Sequence, residues 1–256
     1  MSSDGHITRR RALLSVAGLA CARPLRAFGQ AGAFSVRILN TGGKRLSSPR
    51  DSGPGRWAFE LVRRTSAPAR LGASAVSADD PKLFDEPFAL WTGDGDVPPL
   101  SRPEQRGLER FLKLGGLLVV DDQNPASGAF GRAARRELAR VLPASPPVAL
   151  DASHVLYKSY YIIDRPVGRV LGKPTLDAIV RGKSAQVVFL GHDLLGALAR
   201  SRGGAWSLPV QPGGDRQREF AVRLAVNIAM YSLCSDYKDD QVHAPFLMRR
   251  RAGRGP

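Results

Sequence analysis

Four apolar residues, Leu117-Leu118-Val119-Val120, stand between a glycine pair, Gly115-Gly116, and an aspartate pair, Asp121-Asp122. A short apolar run bounded in this way predicts a strand buried on both faces. In the segment before it, Leu108, Phe111 and Leu112 recur at helical spacing and predict an amphipathic helix over 102–114. Ser101 and Glu104 supply a capping box, Pro103 suits the first turn, and Gly115 stands where a left-handed C-cap is expected. A helix feeding straight into a buried strand is half of a βαβ unit, so the pattern predicts a parallel α/β sheet.

The same reading extends along the chain. Residues 34–39 alternate and predict a first strand, and 41–55, rich in Gly, Ser and Pro, a loop. Trp57, Leu61 and Val62 predict a helix over 55–65, and 87–93 a second strand. A basic helix is expected over 130–141, closed by Pro143 and Pro146-Pro147. The aromatic run 154–163 is β-prone, and 185–190 reads as a further buried strand ending in Gly191-His192-Asp193. Asp193 then stands as cap to a helix beginning at Leu194. A loop over 203–214 leads to a long helix from Arg216 to about Leu233, with Phe220, Leu224, Ile228 and Tyr231 as its inner stripe and Asp215 as its cap. No internal repeat is visible. The expected organisation is a leader over 1–31, one α/β domain over 32–240 and a basic tail over 241–256.

Charge changes this picture at the ends. Of the 256 residues, 38 are Lys or Arg and 23 are Asp or Glu. Five Arg lie in 1–31 with a single acid, and four more close the chain between Arg249 and Arg254. Nucleic-acid binders concentrate charge on one helix or stripe, and that concentration is not seen, so no nucleic-acid partner is expected. Basic ends suit an anionic membrane surface or an acidic partner. Cys21 and Cys234 are the only cysteines, and removal of the leader leaves Cys234 alone. Neither an internal disulfide nor a Cys-pair zinc motif is then possible, and no cofactor motif is visible.

The segment Thr8-Arg9-Arg10-Arg11-Ala12-Leu13-Leu14 resembles a twin-arginine export motif, with Arg9 and Arg10 as its signature. An apolar stretch over 12–22 and small residues at Gly29-Gln30-Ala31 complete the plan of a signal peptide. The apolar stretch falls short of the ~20 residues that span a bilayer, so no transmembrane helix is expected in the mature chain. Periplasmic export is the expectation. A cytoplasmic protein with a basic N-terminus is the alternative.

Further stretches carry a family resemblance. They are 87–93, 115–122, Arg135-Arg136-Glu137-Leu138 to Leu142-Pro143, His154-Val155-Leu156-Tyr157, Asp193-Leu194-Leu195-Gly196-Ala197, Pro212-Gly213-Gly214-Asp215-Arg216-Gln217-Arg218-Glu219 and Tyr237-Lys238-Asp239-Asp240-Gln241-Val242-His243. Together they resemble a bacterial family known only as domain of unknown function 4159. The resemblance implies a three-layer, flavodoxin-like sheet akin to class I glutamine amidotransferases, mostly parallel with helices on both faces. It also implies export to the periplasm and genes near MoxR-type ATPases and von Willebrand factor A proteins, hence a protein partner at the cell envelope. It implies no reaction. Amidotransferases of this class set a Cys nucleophile on a sharp strand-to-helix turn. Here the turn after the central strand carries Asp121, Asp122 and Gln123, and no Cys is near it.

In open α/β sheets ligands bind beyond the carboxyl ends of the strands. The strands ending in Thr92-Gly93, Asp121-Asp122 and Gly191-His192-Asp193 are expected to converge on one rim. There Asp122, His192 and Asp193 can bind a divalent cation or handle protons, or the carboxylates can simply cap turns and helices. His154 with Tyr157 is a candidate ligand site or a satisfied structural pair. Gln217 and Arg218, following Gly213-Gly214, are a candidate anion nest or an ordinary capped helix start. No catalytic residue and no metal ligand is assigned. The leading reading is an exported, non-enzymatic binding or scaffold domain. The alternative is a metal- or carboxylate-dependent hydrolase working at the strand ends.

Overall fold

A computed structural model of the protein describes residues 33–42 and 46–252, with side chains as far as Cys234. The expected export leader, including Arg9 and Arg10, lies outside the described residues. The strands are β1 (Phe34–Asn40), β2 (Ala69–Ser77), β3 (Phe88–Gly93), β4 (Leu117–Asp122), β5 (Val148–Ala149), β6 (Asp177–Arg181) and β7 (Ser184–Leu190). The helices are α1 (Gly53–Thr65), α2 (Arg102–Lys113), α3 (Ala129–Val141), α4 (Leu194–Leu198) and α5 (Gly214–Ala252).

The strands form one sheet in the order β2-β1-β3-β4-β7-β6-β5. The first five in that order run parallel, and β6 and β5 continue the sheet antiparallel. The parallel part has the doubly wound order of a flavodoxin-like sheet. Helices α1, α4 and α5 cover one face, and α2 and α3 the other, giving the three-layer α/β fold that the pattern predicts. Strand β4 shows why its sequence is uninterrupted apolar. Leu117 and Val119 join the core beneath α1, α4 and α5, while Leu118 and Val120 join the core beneath α2 and α3. Successive strand residues face opposite sides, so a strand covered twice needs apolar residues at every position.

Local chemistry sets the boundaries. Ser101 and Glu104 form both hydrogen bonds of the capping box at the start of α2, and Gly115 takes φ 96° just past its end. Gly107 is required for a different reason. A Cβ there would lie 1.8 Å from the Ala78 carbonyl oxygen, so α2 packs directly on the backbone that leaves β2.

Three features differ from the sequence pattern. The aromatic run 154–163 is not a strand but a short 3-10 turn, Val155–Lys158, followed by irregular chain. Its backbone is satisfied by side chains instead of a neighbouring strand. The Tyr160 and Tyr161 N–H groups donate to Asn227 Oδ1 (3.2 and 2.7 Å), and Asn227 Nδ2 donates back to the Tyr161 carbonyl (2.8 Å). Strands β2 and β6 carry no clear periodic signal, because β2 is a largely exposed edge and β6 is five residues long. Helix α5 starts at Gly214, so Asp215 lies inside its first turn and does not cap it. The helix also runs on to Ala252, through the segment expected as a tail.

Candidate functional site

Strands β3, β4 and β7 are parallel neighbours, with Gly93 opposite Asp122 and Asp121 opposite Leu190. Their carboxyl ends therefore meet on one rim, as the topology of such sheets requires. Four groups there define the electrostatics.

Asp121 ends the buried part of β4 and is fully buried. Its Oδ1 accepts from the Leu194 N–H (2.8 Å) and its Oδ2 from the Leu195 N–H (2.9 Å), so this side chain holds the first turn of α4. Burial, followed by the nearby charge of Asp193, pushes its carboxyl up to about 8, against the two backbone donors and Arg50. Asp193 is also fully buried, and it takes a left-handed backbone with φ 54°. Its Oδ1 accepts from the Gly196 N–H (3.0 Å) and from Arg50 Nε (2.8 Å). Its Oδ2 accepts from Arg50 Nη2 (2.6 Å) and from Arg169 Nε. The fork of Arg50 thus grips one carboxylate in two places, and Asp193 in turn holds the Arg50 guanidinium above its ordinary value. A Cβ on Gly196 would come within 2.3 Å of this carboxylate, so the cap needs glycine beneath it.

Asp122, the next residue along β4, points the other way. Its Oδ1 accepts from the Asn124 N–H (2.9 Å) and its Oδ2 from the Gly131 N–H (3.1 Å). It anchors the connection into α3, the cap role that the sequence left open. His192 is buried, and its Nε2 lies 3.1 Å from the Lys173 carbonyl oxygen. Burial lowers its pKa, which favours the neutral imidazole, and its Nδ1 has no hydrogen-bond partner. Chain 168–172 lies directly against His192. The Arg169 and Val170 N–H groups donate to the Asp193 and His192 carbonyls (3.1 and 3.2 Å), and a Cβ on Gly168 or Gly172 would strike the backbone of His192 or Gly191.

Between this chain and the start of α3 lies a cleft of about 490 Å³. Asp122 and His192 both line it. Asp193 sits behind the wall, reached through Arg169. The remaining candidates lie elsewhere. His154 accepts from the Leu156 N–H (3.2 Å), and its Nε2 is 3.3 Å from the Lys183 carbonyl at the β6–β7 turn, the opposite end of β7. The Tyr157 hydroxyl accepts from the Leu176 N–H (2.8 Å) inside the core. Gln217 donates to the Gly168 and Gln211 carbonyls (2.9 Å each) and accepts from the Gly213 N–H (3.0 Å). Arg218 donates to the Ala197 and Leu208 carbonyls (2.5 and 2.7 Å), its guanidinium 4.4 Å from the centre of the Trp206 ring. These two side chains brace loops. The Gly213 and Gly214 N–H groups are taken by Gln217 and by the Val210 carbonyl, so neither is available to an anion.

The model of a family described as Domain of unknown function (DUF4159) matches residues 36–233. The chain belongs to the DUF4159 family. The match covers β2 to β7, all but the first two residues of β1, and the rim and the cleft of this DUF4159 domain. No functionally curated protein matches the chain.

Sequence reasoning missed much of the charge around the rim: Arg50, Arg132, Arg135, Arg169, Lys173 and Asp177. Arg132 was visible only as a member of a basic helix, and Arg135 as a member of that helix and of a stretch that carries the family resemblance. Arg50, Arg169 and Lys173 sit in segments without periodicity, so only the folded chain brings them to the strand ends. Among the described residues, no three His, Cys, Asp or Glu side chains come together in a way that could hold a metal ion.

Proposed function

We propose that this protein is an exported, non-enzymatic binding domain of the cell envelope, with the cleft beyond β4 and β7 as the seat of its ligand. One observation carries the binding reading. The three carboxylates at the rim are spent on the fold: Asp121 on the start of α4, Asp122 on the start of α3, and Asp193 on α4 and two arginines. Each of these carboxylates is held by donors on both oxygens as part of the scaffold, and Asp193, which accepts from four donors, has no lone pair left for the task of a general base or a metal ligand. The export reading rests on Arg9, Arg10 and the apolar stretch behind them. The gene neighbourhood implied by the family resemblance supplies the class of partner, a von Willebrand factor A protein working with a MoxR-type ATPase.

Cell fractionation and co-purification test this reading together. The wild-type chain is expected in the periplasm in processed form, together with the von Willebrand factor A partner. Arg9→Lys combined with Arg10→Lys should hold it in the cytoplasm, because an ammonium does not reproduce the planar fork of arginine. A double variant still processed and periplasmic would refute export by this route. The meeting of Asp122 and His192 in one cleft favours a hydrolase as the second reading. Stoichiometric uptake of Zn²⁺ or Mn²⁺ by the purified protein, abolished by Asp122→Ala and by His192→Ala, would replace the binding reading with that one.

A further inference from the structure

The cleft is built unequally in charge. Arg132, Arg135, Arg169 and Lys173 line it against only Asp122 and Asp177. Asp122 is already engaged by backbone N–H groups, and Arg169 is turned towards Asp193. Of the other three cations, Arg135 and Lys173 meet Asp177. Arg135 Nη2 and Lys173 Nζ both donate to the same oxygen, Asp177 Oδ2 (2.7 and 3.0 Å). Two cations therefore share one acceptor atom, an arrangement that an incoming oxyanion with several oxygens can relieve. The Arg135 guanidinium lies 4.1 Å from the centre of the Phe189 ring, which fixes the plane of its fork. Arg132 donates only to the Ser127 carbonyl (2.9 Å) and has no acidic partner among the described contacts. The same wall includes Val170, Leu171 and Phe189, an apolar surface for the body of a ligand, and His192 with its unpaired Nδ1. Ligand cavities are commonly 300–1,000 Å³, mostly apolar with a few placed polar groups, and a cleft of about 490 Å³ falls within that range.

We propose that this cleft binds a small organic phosphate monoester, its dianionic group held by Arg132, Arg135 and Lys173, with Asp177 as the counter-ion that the phosphate displaces. The proposal rests on the reading of the cleft as a ligand seat and adds the chemical class of the ligand. The four cations of the lining exceed its two carboxylates by two, which matches the two negative charges of the monoester, and the arginine fork matches its oxygens. Asp177 pairs Arg135 and Lys173 until the phosphate takes its place.

The test is titration calorimetry of the purified chain with phenyl phosphate at physiological salt, with benzoate and phenol as matched probes. Phenyl phosphate is expected to bind one to one, and benzoate and phenol more weakly. Arg135→Met with Lys173→Met should weaken phenyl phosphate by roughly tenfold or more, the scale of lost charge-assisted hydrogen bonds. Asp177→Asn should tighten it, a gain that misfolding cannot imitate. Unchanged affinity in both variants would overturn the proposal, and so would benzoate binding as tightly as phenyl phosphate. Binding of phenol alone, with amide shifts at Gly172 and Phe189, would overturn the phosphate assignment and leave the cleft standing as a ligand seat. Failure of all three probes to shift any cleft amide would overturn both.

Discussion

Replacement of Asp193 tests the rim most directly, because three separable contributions meet at that residue. Its carboxylate faces Arg50 and Arg169, its Oδ1 caps α4, and its backbone is left-handed. Asp193→Asn keeps an acceptor for the Gly196 N–H and a residue that tolerates φ > 0, so it removes the charge and turns the oxygen shared by Arg50 and Arg169 into a donor. Removing one partner of a buried ion pair costs about 3–5 kcal/mol. The arginine side chains retain 18% and 22% exposure, so water reaches them and the low end applies, about 3 kcal/mol. Asp193→Ala also loses the cap and forces alanine into the left-handed region. Each of those adds about 1 kcal/mol, for a total near 5 kcal/mol. Asp193→Gly restores the backbone freedom and should fall between, at about 4 kcal/mol. In a domain of this size 1 kcal/mol moves Tm by about 2–4 °C, so the series should span roughly 6–20 °C. Urea denaturation followed by circular dichroism measures the order Asn, Gly, Ala. If all three lay within about 1 kcal/mol of wild type, the Arg50–Asp193–Arg169 link would not be holding the rim. If Gly were worse than Ala, the argument from backbone strain would be wrong.

Three further outcomes are expected. Leu118→Asp and Val119→Asp should each prevent cooperative folding, since each places an unpaired carboxylate in a different core, and a wild-type melt for either one would contradict the doubly covered sheet. Asp121, raised in the fold from the ordinary carboxylate range near 4 to about 8, favours the folded state fully below the lower value and loses that contribution as pH rises towards the higher one. Urea midpoints should therefore show Asp121→Asn gaining on wild type between about pH 5 and pH 9, and parallel curves would refute the shift. Gly107→Ala, which in an exposed helix would stabilise by about 1 kcal/mol, should instead cost about 1–3 kcal/mol through collision with the Ala78 carbonyl, as a thermal melt would show.

The parallel core was legible because β4 carries an uninterrupted apolar run, β1, β3 and β7 are mostly apolar, and the best helix carries explicit start and stop signals. The alternation that would reveal β2 is missing because few of its side chains meet the core. The aromatic run 154–163 misled for the opposite reason. Its residues are β-prone, but Asn227 on α5 supplies their hydrogen bonds, and a partner 66 residues away leaves no local trace. The rim was half legible. Strand-end aspartates and His192 follow from topology, and Asp193 was recognised as a cap. Whether a carboxylate is free or spent depends on which backbone N–H groups approach it, and for Asp121 those come from Leu194 and Leu195, far along the chain. The cations of the cleft were the least visible, since arginine is common throughout this sequence and its spacing says nothing of where the fold gathers it.

The edge strand β2 carries one more consequence. Between the pairs Ser35–Arg70 and Arg37–Ser74 its chain advances two residues further than its neighbour β1. That irregularity lies at Leu71–Ala73, in the middle of the long exposed border of the sheet, where a second molecule would otherwise find a ready row of open backbone groups. A kinked border presents those groups out of step with any straight strand, so copies of the domain cannot zip together along it. Shortening the kink by two residues would straighten that border and open it to pairing between copies.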